Sequence, residues 1–204
     1  MTEISSNAKK HLTKNPIKNY LLKKFNETFI DFVKKTSARN ILDVGCGEGF
    51  MICNIKDQLP SCNITGIDIS IDALTIAKRK CPDADFYIGN ASELKFDNDS
   101  FDLVICSEVL EHIKKTETAL SELYRVSSKN ILLSVPNEPW FWLSNLISFN
   151  HISSFGNAPG HVNHWNPASF NKLVSSHIDI LDFKLSFPWI LTLGICKGKD
   201  SNNS

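Results

Sequence analysis

Excess charge and long apolar runs are both missing from this 204-residue chain. Lysine and arginine together number 22, as do aspartate and glutamate, so no global field favours nucleic acid or an anionic membrane as a partner. No apolar stretch follows the basic start, and none reaches the roughly 20 residues that a membrane-spanning helix needs. We therefore expect a cytoplasmic protein without a transmembrane segment and without a nucleic-acid partner.

Paired cysteine motifs are missing as well. The six cysteines stand at positions 46, 53, 62, 81, 106 and 196, and no two of them form C-x-x-C. Most lie in or beside apolar strand or helix patterns, which is unlike a disulfide framework or a zinc knuckle. We expect reduced thiols in the core, and Cys46 alone could instead be a reactive thiol.

Apolar runs of strand length alternate with helical patterns along the chain, as in α/β proteins. With 42% hydrophobic residues, the length suits one domain, and we expect flexible ends at 1–15 and 198–204. We predict a doubly wound, mostly parallel seven-stranded sheet with a C-terminal antiparallel hairpin. The helices are placed at 16–35, 49–58, 71–80, 116–127 and 167–176, and the strands at 41–44, 63–67, 84–88, 101–106, 130–135, 178–186 and 189–196.

The most informative motif is Ile-Leu-Asp-Val-Gly-Cys-Gly-Glu-Gly at 41–49. An apolar strand that ends in alternating glycines permits positive φ and a close approach of the backbone to a ligand. A dinucleotide site needs a small residue where the bulky Phe50 stands. Asp43 would be poorly placed against a pyrophosphate but well placed to accept hydrogen bonds from a cationic amino-acid group. The motif therefore favours S-adenosylmethionine over NAD.

The run L-D-V-G-C-G-E-G resembles the first motif of class I S-adenosylmethionine-dependent methyltransferases, and the similarity spans roughly residues 16–197. It implies one methyltransferase domain over that range, in which Cys46 is a filler residue of the cofactor loop. The residues that would contact the cofactor are Asp43, Gly45, Cys46, Gly47, Gly49, Asp68, Ile69, Asn90, Ala91 and Ser107.

Two of these residues follow successive strands. Asp68 stands 25 residues after Asp43, the distance of one strand–helix–strand step, and could accept hydrogen bonds from both ribose hydroxyls. Asn90, in Gly89-Asn90-Ala91, replaces the aspartate that the family often has there. Its carbonyl can still accept a hydrogen bond from the adenine amino group, although without charge.

Candidate catalytic residues follow the fourth strand, in Glu108-Val109-Leu110-Glu111-His112. Glu108, Glu111 and His112 have the i, i+3, i+4 spacing that places side chains on one face of a helix. The pattern resembles ubiquinone-pathway O-methyltransferases, and also small-RNA 3′-end methyltransferases that hold a divalent metal through Glu, Glu, His and a later His.

The later histidine would be His161, with His164 in reserve. Glu108, Glu111, His112 and His161 would then suit Mg²⁺, Mn²⁺ or Zn²⁺. The same pattern also occurs in class members with no known metal. In that case His112 or His161 becomes the candidate general base, and Glu108 caps the loop.

The segment 136–166 carries an unusual number of aromatic residues. Its helical spacing, with prolines before and glycines after, predicts a lid over the acceptor site. Ordinary core packing, an apolar acceptor pocket and a peripheral membrane contact all fit this pattern, although few lysines accompany the last.

The resemblance implies transfer of a methyl group to a small, partly apolar acceptor, and we expect the acceptor atom to be oxygen. The alternatives are a C-methyltransferase of quinone biosynthesis, a metal-dependent RNA 3′-end 2′-O-methyltransferase, and a regulator that binds the cofactor without turnover. The intact Asp43 and glycine loop favour turnover, and the neutral charge weighs against RNA.

Overall fold

The computed structural model describes residues 15–138, 140 and 161–199. One seven-stranded sheet has the strand order β3-β2-β1-β4-β5-β7-β6. Strand β7 runs antiparallel to its two neighbours, β5 and β6, and the other neighbouring pairs are parallel. The predicted fold is therefore confirmed. The strands are β1 Asn40–Val44, β2 Asn63–Asp68, β3 Asp85–Ile88, β4 Phe101–Ser107, β5 Ser127–Pro136, β6 Ile178–Ser186 and β7 Trp189–Cys196.

Five α-helices connect or flank the described strands. They are α1 Pro16–Thr36, α2 Phe50–Gln58, α3 Ile71–Lys80, α4 Thr116–Val126 and α5 Pro167–Val174. A 3-10 turn, Leu110–His112, follows β4. Within the described residues, no helix is both long and apolar enough to cross a bilayer.

The central strands are buried on both faces. Along β1, Ile41 belongs to an apolar cluster shared with α1, α2 and α3, whereas Leu42 and Val44 belong to a second cluster shared with α4 and α5. From β1 the chain builds the sheet outwards in one direction through β2 and β3, and then returns to the other side of β1 with β4. The order of the strands therefore reverses between β1 and β4. In open α/β sheets, ligands bind at the carboxyl ends of the strands at this switch point.

Several boundaries and contacts differ from the sequence expectations. Helix α4 ends at Val126 and β5 begins at once with Ser127, three residues earlier than the apolar run suggested. Cys53 and Cys81, which the sequence left as separate thiols, lie side by side with their Cα atoms 5.6 Å apart, and their spacing of 28 residues gives no sequence signal for this contact. Lys199, expected in a flexible tail, donates hydrogen bonds to the carbonyls of Tyr124 and Ser127.

The N-terminal helix carries a large part of one core cluster, and this gives a test of the fold. Phe29 is fully buried in α1, so Phe29→Ala should lower the free energy of unfolding by about 3–5 kcal/mol through lost burial and a residual cavity. Tyr20→Ala, on the exposed face of the same helix, should cost less than about 1 kcal/mol. Urea unfolding of both variants measures the difference, and similar losses would contradict the assigned burial of α1.

Candidate active site

A cleft of about 1680 Å³ opens at the carboxyl ends of β1, β2 and β4. It brings together nine of the ten residues expected to contact the cofactor, together with Glu108 and His112. Gly49 is the exception. It begins α2 at φ +74°, and a Cβ there would lie 3.0 Å from Ala77 on α3. Gly49 therefore serves helix packing, so its assignment to the cofactor site is not supported by this geometry.

The first three amides of the glycine loop, those of Gly45, Cys46 and Gly47, already have hydrogen-bond acceptors at the end of β2. The amides of Gly45 and Cys46 both donate to the carbonyl of Ile67, at 2.8 and 3.0 Å. The amide of Gly47 donates to Asp68 Oδ2 at 2.9 Å. A phosphate site needs such amides to point at the ligand. These three amides are therefore not available to a pyrophosphate, which is in line with the sequence preference for S-adenosylmethionine over NAD.

Gly45 is required for a second reason. Its φ is +79°, and a Cβ on it would lie 2.3 Å from a methyl carbon of Val109. Val109 belongs to the loop after β4, so the two loops that form the cleft touch at a point where no side chain fits. The glycine thereby allows the candidate catalytic loop to lie against the cofactor loop.

Asp68 has a structural role that the sequence pattern did not reveal. Its Oδ2 accepts the hydrogen bond from the amide of Gly47, and its Oδ1 accepts one from the amide of Ser70, both at 2.9 Å. Two amide donors stabilise its negative charge. A ligand hydroxyl would meet a carboxylate that is already held in place by the backbone.

Asp43 lies in a different environment, at the carboxyl end of β1 and almost without solvent contact. Burial raises the pKa of its carboxyl to about 7, and the negative charge of Asp68 adds to the effect. An ionised carboxylate at this position is costly unless a cation binds beside it. Asp43 and Asp68 therefore give the cleft an electrostatic preference for a cationic ligand.

Cys46 is the buried thiol of the same loop. Burial, followed by the charges of Asp43 and Asp68, raises its pKa well above the ordinary value. Because the thiolate is the nucleophilic form, this environment disfavours a reactive cysteine. The interpretation of Cys46 as a filler residue of the loop is supported.

Beyond the carboxyl ends of β2 and β3, the cleft is lined by Ile69, Asn90 and Ala91. Ile69 is 76% exposed, which leaves an apolar side chain available to a flat ring. The side-chain oxygen of Asn90 accepts a hydrogen bond from the amide of Ser92 at 2.9 Å. A carbonyl oxygen has two lone pairs, so this internal bond leaves room for one further donor.

The loop after β4 is not the α-helical turn that the spacing predicted. Glu108 has φ +58°, a left-handed conformation, and only Leu110–His112 form a 3-10 turn. The prediction that Glu108, Glu111 and His112 share one face of a helix is therefore wrong. Glu108 Oε2 instead accepts a hydrogen bond of 2.7 Å from the indole nitrogen of Trp189. Ser107 next to it is fixed by a contact of 2.7 Å between its hydroxyl and that of Ser134.

Three of the four candidate metal ligands nevertheless converge. One ligand atom each from Glu111, His112 and His161 lies within 4.8 Å of the others, and the two imidazole rings are 4.9 Å apart at their centroids. Glu108 does not belong to this group. His164, the reserve ligand, places Nδ1 3.6 Å from Glu138 Oε1.

Asn163 and the residue before it hold the chain next to His161 against the loop that follows β4. No sequence motif predicted this role of Asn163. The amides of Val162 and Asn163 donate to the carbonyl of Glu111 at 2.8 and 3.1 Å. The Asn163 carboxamide donates to the carbonyls of Leu110 and Ile113 at 3.1 and 2.7 Å. These four bonds join residues about 50 positions apart in the chain. The expected lid at 136–166 otherwise falls mostly outside the described residues.

Known proteins resemble the chain both in sequence and in fold. Residues 42–134 match the family described as Methyltransferase domain. Demethylmenaquinone methyltransferase of Renibacterium salmoninarum is 30% identical over 105 residues, which are 52% of this chain and 44% of that protein. A ubiquinone/menaquinone biosynthesis C-methyltransferase of Campylobacter jejuni is 34% identical, over 47% of this chain and 43% of that protein. The match thus spans less than half the length of either relative.

Solved structures share the fold over most of the chain. PH0226 protein from Pyrococcus horikoshii OT3 superposes with a TM-score of 0.71, at 18% identity, over 90% of this chain and 93% of that one. Magnesium protoporphyrin IX methyltransferase from Synechocystis PCC 6803, solved with bound SAH, gives a TM-score of 0.69 at 16% identity, over 91% and 89% of the two chains. The chain thus has the fold of these two proteins, and its residues 42–134 match a methyltransferase domain.

The raised pKa of Asp43 predicts how ligand affinity depends on pH. A cationic ligand group favours the ionised carboxylate, so affinity for S-adenosylhomocysteine should be constant above about pH 7 and fall about tenfold per unit below it. Titration calorimetry between about pH 5 and 8 measures this profile. Asp43→Asn should bind more weakly above about pH 7 and show a flat profile. A flat profile in the unsubstituted protein would contradict the role of Asp43.

Proposed function

We propose that this protein transfers a methyl group from S-adenosylmethionine to a small, partly apolar acceptor, at oxygen. The observation that supports this most directly is that one cleft contains both the cation-selective site of Asp43 and Asp68 and the polar groups of Glu108 and His112. The first pair suits a charged cofactor, and the second pair suits an acceptor that must be oriented and deprotonated.

The residues present fit the cofactor in three respects. Asp43 would accept hydrogen bonds from the ammonium group, Asp68 from the ribose, and Ile69 would cover one face of the adenine ring. When bound, the cofactor supplies a methyl group on a positively charged sulfur. The protein then has to orient the acceptor, exclude water and receive a proton.

His112 is the candidate general base for an acceptor hydroxyl. Its side chain is half-exposed, it lines the cleft, and its Nε2 is 3.9 Å from the buried Glu111 Oε1. An imidazole that lines a cleft is the side chain most often used to take a proton from a reacting hydroxyl. This arrangement supports oxygen as the acceptor atom, although the named relatives are quinone-pathway enzymes and one is a C-methyltransferase. Methylation at a quinone-like carbon is therefore the second candidate.

Calorimetry and product analysis together test the proposal. S-Adenosylmethionine should bind at micromolar strength, Asp43→Ala should weaken it at least tenfold, about 1.4 kcal/mol, and NADH should not bind. With isotope-labelled cofactor and catechol or a quinol as probes, mass spectrometry separates O-methyl from C-methyl products. Comparable binding of NADH would contradict the assignment of S-adenosylmethionine as the cofactor. C-methyl products alone would favour methylation at a quinone-like carbon.

The cluster of Glu111, His112 and His161 supports a further proposal, a metal-assisted form of the same reaction. One carboxylate and two imidazoles suit Zn²⁺ or Mn²⁺, and a bound ion would lower the pKa of an acceptor hydroxyl. The metal-dependent RNA alternative needs Glu108 as a fourth ligand, and Glu108 does not belong to this cluster. The balanced net charge of the chain gives that alternative no electrostatic support.

Metal binding can be measured without an acceptor. Calorimetric titration with Zn²⁺ or Mn²⁺ should show one site, and His161→Ala should weaken it at least tenfold because one of three ligands is lost. His177→Ala removes a histidine that lies between α5 and β6, outside the cluster, and should have no effect. Binding of S-adenosylhomocysteine should survive in both variants. The proposed metal site is wrong if neither ion binds the unsubstituted protein, or if His161→Ala leaves the affinity for the ion unchanged.

A further inference from the structure

Trp189 connects the last hairpin to the loop after β4. It opens β7 and is only 7% exposed, and its indole N–H donates the 2.7 Å hydrogen bond to Glu108 Oε2. The two residues are 81 positions apart in the chain. A buried indole needs an acceptor, and a carboxylate is a strong one. The bond therefore fixes the orientation of a carboxylate that lines the cleft.

The backbone around Glu108 is also held from several sides. Its amide donates to the carbonyl of Ser134 at 3.0 Å, and its φ of +58° is rare for a residue with a side chain. The next residue, Val109, lies directly over Gly45. Strained backbone persists where its surroundings determine it, and such positions cluster at functional sites.

Trp189 also forms part of an apolar wall. Its ring is 5.0 Å from that of Phe25 on α1, and both rings line the same cleft as Glu108. Both side chains are largely buried, and they line the cleft together with the carboxylate that the indole N–H holds. In ligand sites, one precisely placed polar group within apolar surroundings sets the orientation of the ligand.

We propose that Trp189 is a positioning residue for the methyl acceptor: it holds the Glu108 carboxylate so that this group accepts a hydrogen bond from a hydroxyl of the acceptor. This rests on the proposed function. The acceptor class is an apolar ring that bears a hydroxyl group, lying against Trp189 and Phe25. Glu108 in this role orients the acceptor, while proton removal stays with His112.

The first arm of the test is spectroscopic and needs no acceptor. In ¹⁵N-labelled protein, the indole signal that disappears in Trp189→Phe identifies Trp189. In Glu108→Gln the proton of this signal should move upfield because its charged acceptor is lost. The indole signal of Trp165, a tryptophan outside the cleft, should stay in place. An unmoved Trp189 signal would overturn the proposed contact.

The second arm uses phenol and toluene as matched probes on protein saturated with S-adenosylhomocysteine. The unsubstituted protein should bind phenol at least about fivefold more tightly than toluene, since a hydrogen bond to a charged group adds to affinity. Trp189→Phe and Glu108→Gln should lose this preference, whereas Trp165→Phe should keep it. Equal affinities in the unsubstituted protein, no binding of phenol, or a preference retained in Trp189→Phe would overturn the proposal.

The two proposals fail separately. If S-adenosylhomocysteine does not bind, the proposed function fails, but the indole shift still reports the contact between Trp189 and Glu108. If it binds and the phenol preference is absent, only the positioning role fails. Glu108→Gln keeps the test decisive should Trp189→Phe not fold.

Discussion

The burial of the Asp43 carboxyl beside Asp68 is the constraint on which the whole site depends. Two acids share one cleft, but their surroundings differ. Asp68 has two amide donors, whereas burial raises the pKa of Asp43 to about 7. The raised pKa means that the contribution of Asp43 to the free energy of unfolding falls as pH rises from the unfolded value of 3.8 towards about 7. A bound cation offsets this loss, which couples stability to occupancy of the site.

The hydrogen bonds of the glycine loop explain why it does not resemble a phosphate site. Its amides are turned inward to Ile67 and Asp68, so the loop offers little to an anion. What it offers is close approach, because Gly45 lets Val109 lie against it. The loop after β1 and the loop after β4 are thereby in direct contact.

Local patterns predicted most of the fold, because the apolar residues of a buried strand or an amphipathic helix follow one another within a short stretch of sequence. The glycine loop and Asp68 follow from their places at strand ends. The geometry of Glu108 could not be predicted, because a left-handed residue after β4 has no distinct spacing. Trp189 and Asn163 were missed for another reason. Each acts on the 108–113 loop from a distant part of the chain, through hydrogen bonds that only the folded sheet brings together.

The most direct test of the account is a crystal structure of the protein with S-adenosylhomocysteine. We expect its ammonium group within about 3 Å of the Asp43 carboxylate and its ribose hydroxyls at a similar distance from Asp68. The adenine ring should lie against Ile69. A ligand bound with its ammonium group away from Asp43, or bound outside the cleft, would contradict the central claim that these two acids select a cationic cofactor.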